Sequence, residues 1–317
     1  GIGGVEINPV KFPARTDDLG KPSLQWLSPE WIDLLKFSFD TARSLGMTCD
    51  LIVGSGWPFG AEWLQGDERA EVLVVATKRL EGPLDYEVSL FDLFKEADPS
   101  ISSPFPGRTM EMMSVSLVPS VISAIEDVKD LSEQIPNGTI RCKVPRGRHV
   151  LYAMVKIHGF MEVIQGAPGA TGPVLNHYNK EAVKKYLSKM SDTIQEKTGP
   201  LSSQIRSFFT DSLELEGSNW CADMATEFQK RRGYDLMPWV PFVLFKTTGM
   251  GNTVYRPNPP INISIYEIDV PDNRRIYDYG AEQSPEFRQM IERVRYDFEL
   301  TKTELITERF VATFIDW

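Results

Sequence analysis

The chain has 317 residues, 42% hydrophobic and 25% charged, which suits a soluble globular protein of one large α/β domain or two ordinary ones. A formal charge of −10 and a pI near 5.0 argue against a nucleic-acid surface, which would need clustered lysine and arginine. Cys49, Cys142 and Cys221 are odd in number and lack CxxC spacing, so neither a metal knot nor a disulfide framework is read; no apolar run approaches the ~20 residues that span a bilayer.

In chain order, "GIGGVEI" (1–7) reads as a strand. A helix follows, with Ser28 as N-cap and Pro29 at the first helical position, where a missing N–H does no harm. Its Trp31, Leu34, Leu35, Ala42 and Leu45 fall largely on one face, and Gly46 is the expected stop. "MTCDLIVGSGWPFG" (47–60) is an apolar strand entering a glycine-rich turn, which completes a β–α–β unit and implies parallel neighbours. Between 71 and 148, "EVLVVATKRL", "DYEVSLF" and "TIRCKVPRGRHV" alternate around the Pro- and Ser-rich "EADPSISSPFPGRTM", which we read as an inserted β-rich module.

The β/α rhythm is expected to resume with "HVLYAMVKIHG" (149–159) as a third strand. A helix capped by Asn179 then runs through Val183, Tyr186, Leu187, Met190 and Ile194. "QIRSFFTDSLEL" (204–215) reads as the fourth strand, and Asn219 as the cap of a helix ending near Gly233. The basic "KRRGYD" (230–235) reads as the end of that helix, where cations suit the dipole. After a Pro-rich stretch (256–273), a long amphipathic helix starts at Ser284–Pro285.

Strand–helix alternation, with the unusual chemistry placed after strands, suits a (β/α)8 TIM-type barrel; a doubly wound open sheet is the competitor. The expected division is 1–70 and 149–317 as barrel units around the module at 71–148. Four of eight barrel strands are read, and both ends of the chain read as cut. We therefore expect an incomplete barrel within a longer polypeptide whose remaining domains are its partners.

The glycines of "VGSGWPFG" do not fit a dinucleotide turn, because Trp57, Pro58 and Phe59 occupy the space a pyrophosphate needs. Trp57 suits stacking on a sugar face, or else plugs a barrel end. "APGATGPVLNHYNKEAV" (167–183) delivers Asn176 and His177 ahead of a helix, although a lone histidine is more often structural. His149 and His158 form no HxH or HExxH pattern, so zinc hydrolase chemistry is disfavoured. In "FFTDSLELEGSNW" (208–220), an extended strand would point Ser212, Glu214 and Glu216 to one side and Asp211 to the other. A carboxylic acid in a partly desolvated mouth has a raised pKa and can donate a proton. Glycoside hydrolysis pairs such an acid with a second carboxylate, ~6.5–9.5 Å away for inversion and ~5–5.5 Å for retention.

These phrases, with "LSPEWIDLLKFSFDTARSLGMTCDLIVGSGWPFG", "FQKRRGYDLMPW" and "RVRYDFELTKTELITERF", resemble glycoside hydrolase family 106, the α-L-rhamnosidases, in order and over nearly the whole chain. The resemblance implies a multidomain, inverting enzyme with a (β/α)8 catalytic barrel, a rhamnose-containing glycan as substrate, calcium near that substrate, and a periplasmic or secreted location. Carried residue by residue, the family's DS-x-E phrase falls on Asp211, Ser212 and Glu214, which makes Glu214 the implied general acid. It places Trp57, Asp50, Asn176 and His177 at the pocket; Glu216 is a neighbour that tunes Glu214. Asp211, Glu214 and Glu216 are hard oxygen donors that would suit calcium. No phrase for the general base is found, so we expect the base to lie beyond this sequence and the fragment alone to be inactive. A non-catalytic carbohydrate-binding relic of the same fold is the alternative.

Overall fold

A computed structural model describes residues 1–11, 22–97, 108–215, 217–244 and 280–317. In chain order the elements are β1 (Gly4–Ile7), α1 (Pro29–Ser44), β2 (Thr48–Ile52), β3 (Glu71–Ser89), α2 (Leu90–Ala97), β4 (Thr109–Pro119), β5 (Val121–Ile122), β6 (Lys129–Asp130) and β7 (Thr139–His158). They continue with α3 (Lys180–Thr198), β8 (Ser207–Phe209), α4 (Met224–Arg232), α5 (Val240–Val243), β9 (Glu282–Gln283), α6 (Pro285–Ile306) and α7 (Ala312–Asp316). The Pro-rich stretch 256–273 and the Pro/Ser segment 98–107 lie outside the described residues.

Two compact units are present: Gly1–Ala70 with Met161–Leu215 and Ile306–Trp317, and Glu71–Phe160 with Glu216–Leu305. The first is built on a parallel three-stranded sheet of order β1-β2-β8. Local signals set its helices. The Ser28 hydroxyl accepts the Trp31 N–H at 3.2 Å to start α1, and Gly46 follows its end at φ +69°. Asn179 accepts the Ala182 N–H at 3.1 Å to start α3. Cys49, Leu51 and Val53 pack with Leu35 and Phe39 of α1 and with Val183, Tyr186 and Ile194 of α3 in one core cluster. The expected one-sided face of α1 is only partly realised: Trp31, Leu35 and Ala42 are buried, while Leu34 and Leu45 are exposed.

The second unit centres on an antiparallel sheet of order β3-β7-β4-β6. Residues 149–159 are not a third parallel strand; they are largely the second half of β7, running antiparallel between β3 and β4. Val150 to His158 are buried throughout, because a central strand is covered on both faces. Such a run reads the same from sequence whether its neighbours are parallel or antiparallel. Neither sheet closes into a barrel among the described residues.

Asn219 is likewise not a helix cap. Its side-chain amide accepts the Leu73 N–H at 2.7 Å and donates to the Leu73 carbonyl at 3.1 Å, while Ser218 donates to the Glu71 carbonyl at 3.0 Å. An amide of this shape mimics a neighbouring strand and satisfies both polar groups of a buried backbone position. The basic cluster is the end of α4, as read, and Gly233 follows it at φ +84°. Arg231 pairs with Glu227 at 2.9 Å and with Glu304 of α6 at 3.3 Å, and Arg232 also reaches Glu304. Helix α6 begins where expected, with the Ser284 hydroxyl accepting the Phe287 N–H at 3.2 Å. The three cysteines are free and buried.

Candidate functional site

Register decides where the loops of the first unit emerge. Ile7 lies beside Leu51 and Ile52 beside Phe209 in parallel strands, so 8–11, 53–60 and 210–215 all leave the carboxyl edge of one sheet. That edge is where open and closed α/β folds bind ligands. The loops are tied together. The Ser55 hydroxyl donates to the Pro9 carbonyl and accepts the Ala167 N–H at 2.9 Å, and the Lys11 N–H reaches the Gln165 carbonyl at 2.9 Å.

Two glycines of "GSGWPFG" are set by close backbone approach. A Cβ on Gly56, at φ +74°, would stand 2.3 Å from the Ile164 carbonyl oxygen, and one on Gly60 would stand 2.1 Å from that of Pro173. Between them, Trp57 and Ile164 exchange both backbone hydrogen bonds, at 3.0 and 2.8 Å. Trp57 is half-buried. Phe59 is fully inside and packs on Tyr186 at 5.1 Å and His177 at 5.2 Å between ring centres. Phe59 is therefore the buried ring of the loop, and Trp57 stays partly exposed.

The stretch 210–215 is irregular chain, since β8 ends at Phe209. Asp211 is exposed and accepts the Ser212 N–H at 2.8 Å; Glu214 is half-buried and accepts the Ser212 hydroxyl at 2.9 Å. Glu216 lies outside the described residues.

The remaining expected pocket residues are occupied within the unit. Asp50, in mid-β2 and buried, takes a two-pronged ion pair from Arg206, with Nε at 3.0 Å from Oδ1; that guanidinium holds its carboxyl below the usual range. Asn176 is fully buried, accepts the Tyr178 N–H at 3.0 Å and donates to the Asp67 carbonyl at 3.2 Å. His177, 1% exposed, is bonded through Nδ1 to the Leu175 carbonyl at 2.8 Å, and its ring meets Phe310 edge-on at 4.7 Å. Burial lowers its pKa to about 4, against a smaller rise from the Leu175 bond, so it is neutral at physiological pH. In this conformation Asn176 and His177 support the loops from inside and present no accessible face. Trp57, Asp211 and Glu214 are the expected residues that the carboxyl-edge loops carry.

Arg206 was not singled out from sequence; its only signal is a lone arginine immediately before the strand that pairs with Asp50. Glu162 was missed as well. It is a half-buried carboxylate whose pKa is raised by burial, and nothing in "FMEVIQG" marks it as different from a solvated residue. Around Asp211 and Glu214, no trio of His, Cys, Asp and Glu ligand atoms gathers among the described residues.

Comparison with known proteins adds three findings. The family model for glycoside hydrolase family 106, alpha-L-rhamnosidase, matches residues 102–252. A protein of Formosa agariphila described as "Putative beta-glucuronidase" is 23% identical over 253 residues, covering 71% of this chain and 22% of that protein. The solved rhamnosidase from Novosphingobium sp. PP1Y aligns over 100% of this chain and 42% of its own, with a TM-score of 0.64 and 16% identity, a likeness of fold. The chain thus spans less than half of either relative.

Proposed function

We propose, from the premise that the chain is a relative of glycoside hydrolase family 106, that it forms part of a glycosidase acting on terminal α-L-rhamnosyl linkages. In this reading Glu214 protonates the leaving glycosidic oxygen. A second carboxylate takes a proton from water on the opposite face, giving inversion through an oxocarbenium-like transition state. The three parallel strands are then part of a (β/α)8 barrel, Trp57 stacks on the sugar, and Asp211 orients Ser212 and through it Glu214. Calcium beside the vicinal hydroxyls belongs to the family expectation, and Asp211 and Glu214 are described oxygen donors that would suit it.

The observation that carries the reading is the delivery of the Asp211–Ser212–Glu214 phrase and Trp57 to the same sheet edge by adjacent strands. The character of that edge favours a neutral sugar over a uronic acid. In 8–11, 53–60, 161–175 and 210–215, Lys11 is the single cation among the described residues, against Glu162, Asp211 and Glu214. A uronate would meet carboxylates there with little to offset its charge. A 6-deoxy sugar offers a methyl group and hydroxyls instead. No helix among the described residues is long and apolar enough to cross a membrane, and a glycan-directed role fits a periplasmic or secreted protein.

The test is Glu214→Gln in the intact protein. Loss of the acid should lower turnover of rhamnosides with poor leaving groups by about 10²–10⁴-fold while sparing activated aryl rhamnosides. Equal loss on both classes argues against the acid role. Rhamnose binding without hydrolysis by the unaltered protein favours a binding relic instead.

A further inference from the structure

Glu162 has no hydrogen bond or ion pair among the described residues, yet it is half-buried. A carboxylate partly withdrawn from water with no hydrogen bond to offset the lost hydration carries a free-energy cost. The backbone around it shows where it faces. Trp57 and Ile164 form an antiparallel pair that exchanges both hydrogen bonds, so their side chains share a face. Glu162 is two residues from Ile164 in extended chain and points the same way. The burial pattern agrees: Met161 and Val163 are buried, while Glu162 and Ile164 are half-open. Glu162 is therefore the diagonal neighbour of Trp57, at about 7–8 Å, within reach of long and aromatic side chains. Pro173, bridged to Glu162 from the other side, adds an apolar wall.

An aromatic ring, an apolar flank and a carboxylate without a partner among the described residues match one kind of ligand, a ring with an apolar face and hydroxyls along its rim. We propose that Trp57 and Glu162 form a neutral-sugar subsite, Trp57 stacking on the ring and Glu162 accepting hydrogen bonds from its hydroxyls. This deepens the glycosidase reading and rests on it for the identity of the sugar. Apolar surroundings push the free carboxyl of Glu162 upward. Hydroxyl donors from a ligand would stabilise the charged form that burial penalises, so the strain in the free site favours binding. Glu162 is a binding residue here, and no bond-making step is assigned to it.

The experiment compares the intact protein with its Glu162→Gln variant. It measures Kd for L-rhamnose and a panel of neutral monosaccharides by calorimetry, kcat and KM on an aryl α-L-rhamnoside, and Tm. A charge-assisted hydrogen bond predicts Kd and KM raised about ten- to hundred-fold with kcat little changed. Tm should not fall, because Glu162 holds nothing among the described residues; a purely structural carboxylate would lower it. Unchanged Kd and KM in a variant that still cleaves rhamnosides overturns the subsite and leaves the glycosidase reading intact. Binding of a different neutral sugar, weakened by Glu162→Gln without any rhamnoside cleavage, overturns the rhamnosidase reading and keeps the subsite. Failure of the unaltered protein to bind any neutral sugar overturns the subsite outright.

Discussion

His177 makes the chain acid-sensitive by an amount that the structure sets. The ring is sealed among Phe59, Phe310 and the Leu175 carbonyl, and burial lowers its pKa from 6.5 to about 4. In the unfolded chain the imidazole takes its proton near the ordinary value; in the folded chain it resists until far lower pH. The unfolded state therefore binds more protons across this window. The stability held above pH 6.5 is lost as pH falls towards 4. At 1.36 kcal/mol per pKa unit, the loss amounts to about 3 kcal/mol, with a slope of roughly 1.4 kcal/mol per pH unit inside the window. The assay is a series of urea unfolding curves at fixed ionic strength across that range, for the unaltered chain and for His177→Phe. The variant matches its aromatic neighbours in character but cannot be protonated. It leaves the Leu175 carbonyl without its donor, at about 1–3 kcal/mol, so the quantity compared is the pH slope and not the absolute stability. Parallel slopes for the two proteins would refute the argument, because the acid dependence would then belong to other groups.

Two further substitutions probe the framework beneath the candidate site. Asn219→Ala removes both partners of the buried Leu73 backbone, and at about 1–3 kcal/mol per orphaned group should cost roughly 2–6 kcal/mol in urea unfolding; a loss below about 0.5 kcal/mol would show that water or a neighbour replaces the amide. Gly60→Ala drives a methyl to 2.1 Å from the Pro173 carbonyl oxygen, so it should lower stability by about 1–3 kcal/mol, read as a fall in Tm. The Ala variant at Gly46, where a Cβ meets nothing within 4 Å, serves as the comparison for backbone strain alone, its φ being +69°.

Much of the local structure was legible in the sequence because its causes are local. Ser28 and Asn179 start their helices through hydrogen bonds spanning three residues, and Gly46 and Gly233 stand after helix ends at positive φ. The reason for Gly56 and Gly60 in "GSGWPFG", the carbonyls of Ile164 and Pro173 pressing on them, comes instead from residues over a hundred positions away. The reading of 149–159 failed at the same boundary: it is a strand, as expected, but its neighbours are antiparallel.

For the site, sequence alone determined the chemistry on offer: a tryptophan after one strand and a short acidic phrase after another. Tertiary structure decided what that chemistry can reach. Asp50 is claimed by Arg206, His177 by an aromatic interior, and Trp57 is paired through its backbone with Ile164, two residues from Glu162. Caps and turns draw their energy from atoms a few bonds away, so a sequence declares them. Strand partners, ion pairs and the open face of a ring depend on chain segments that only folding brings together.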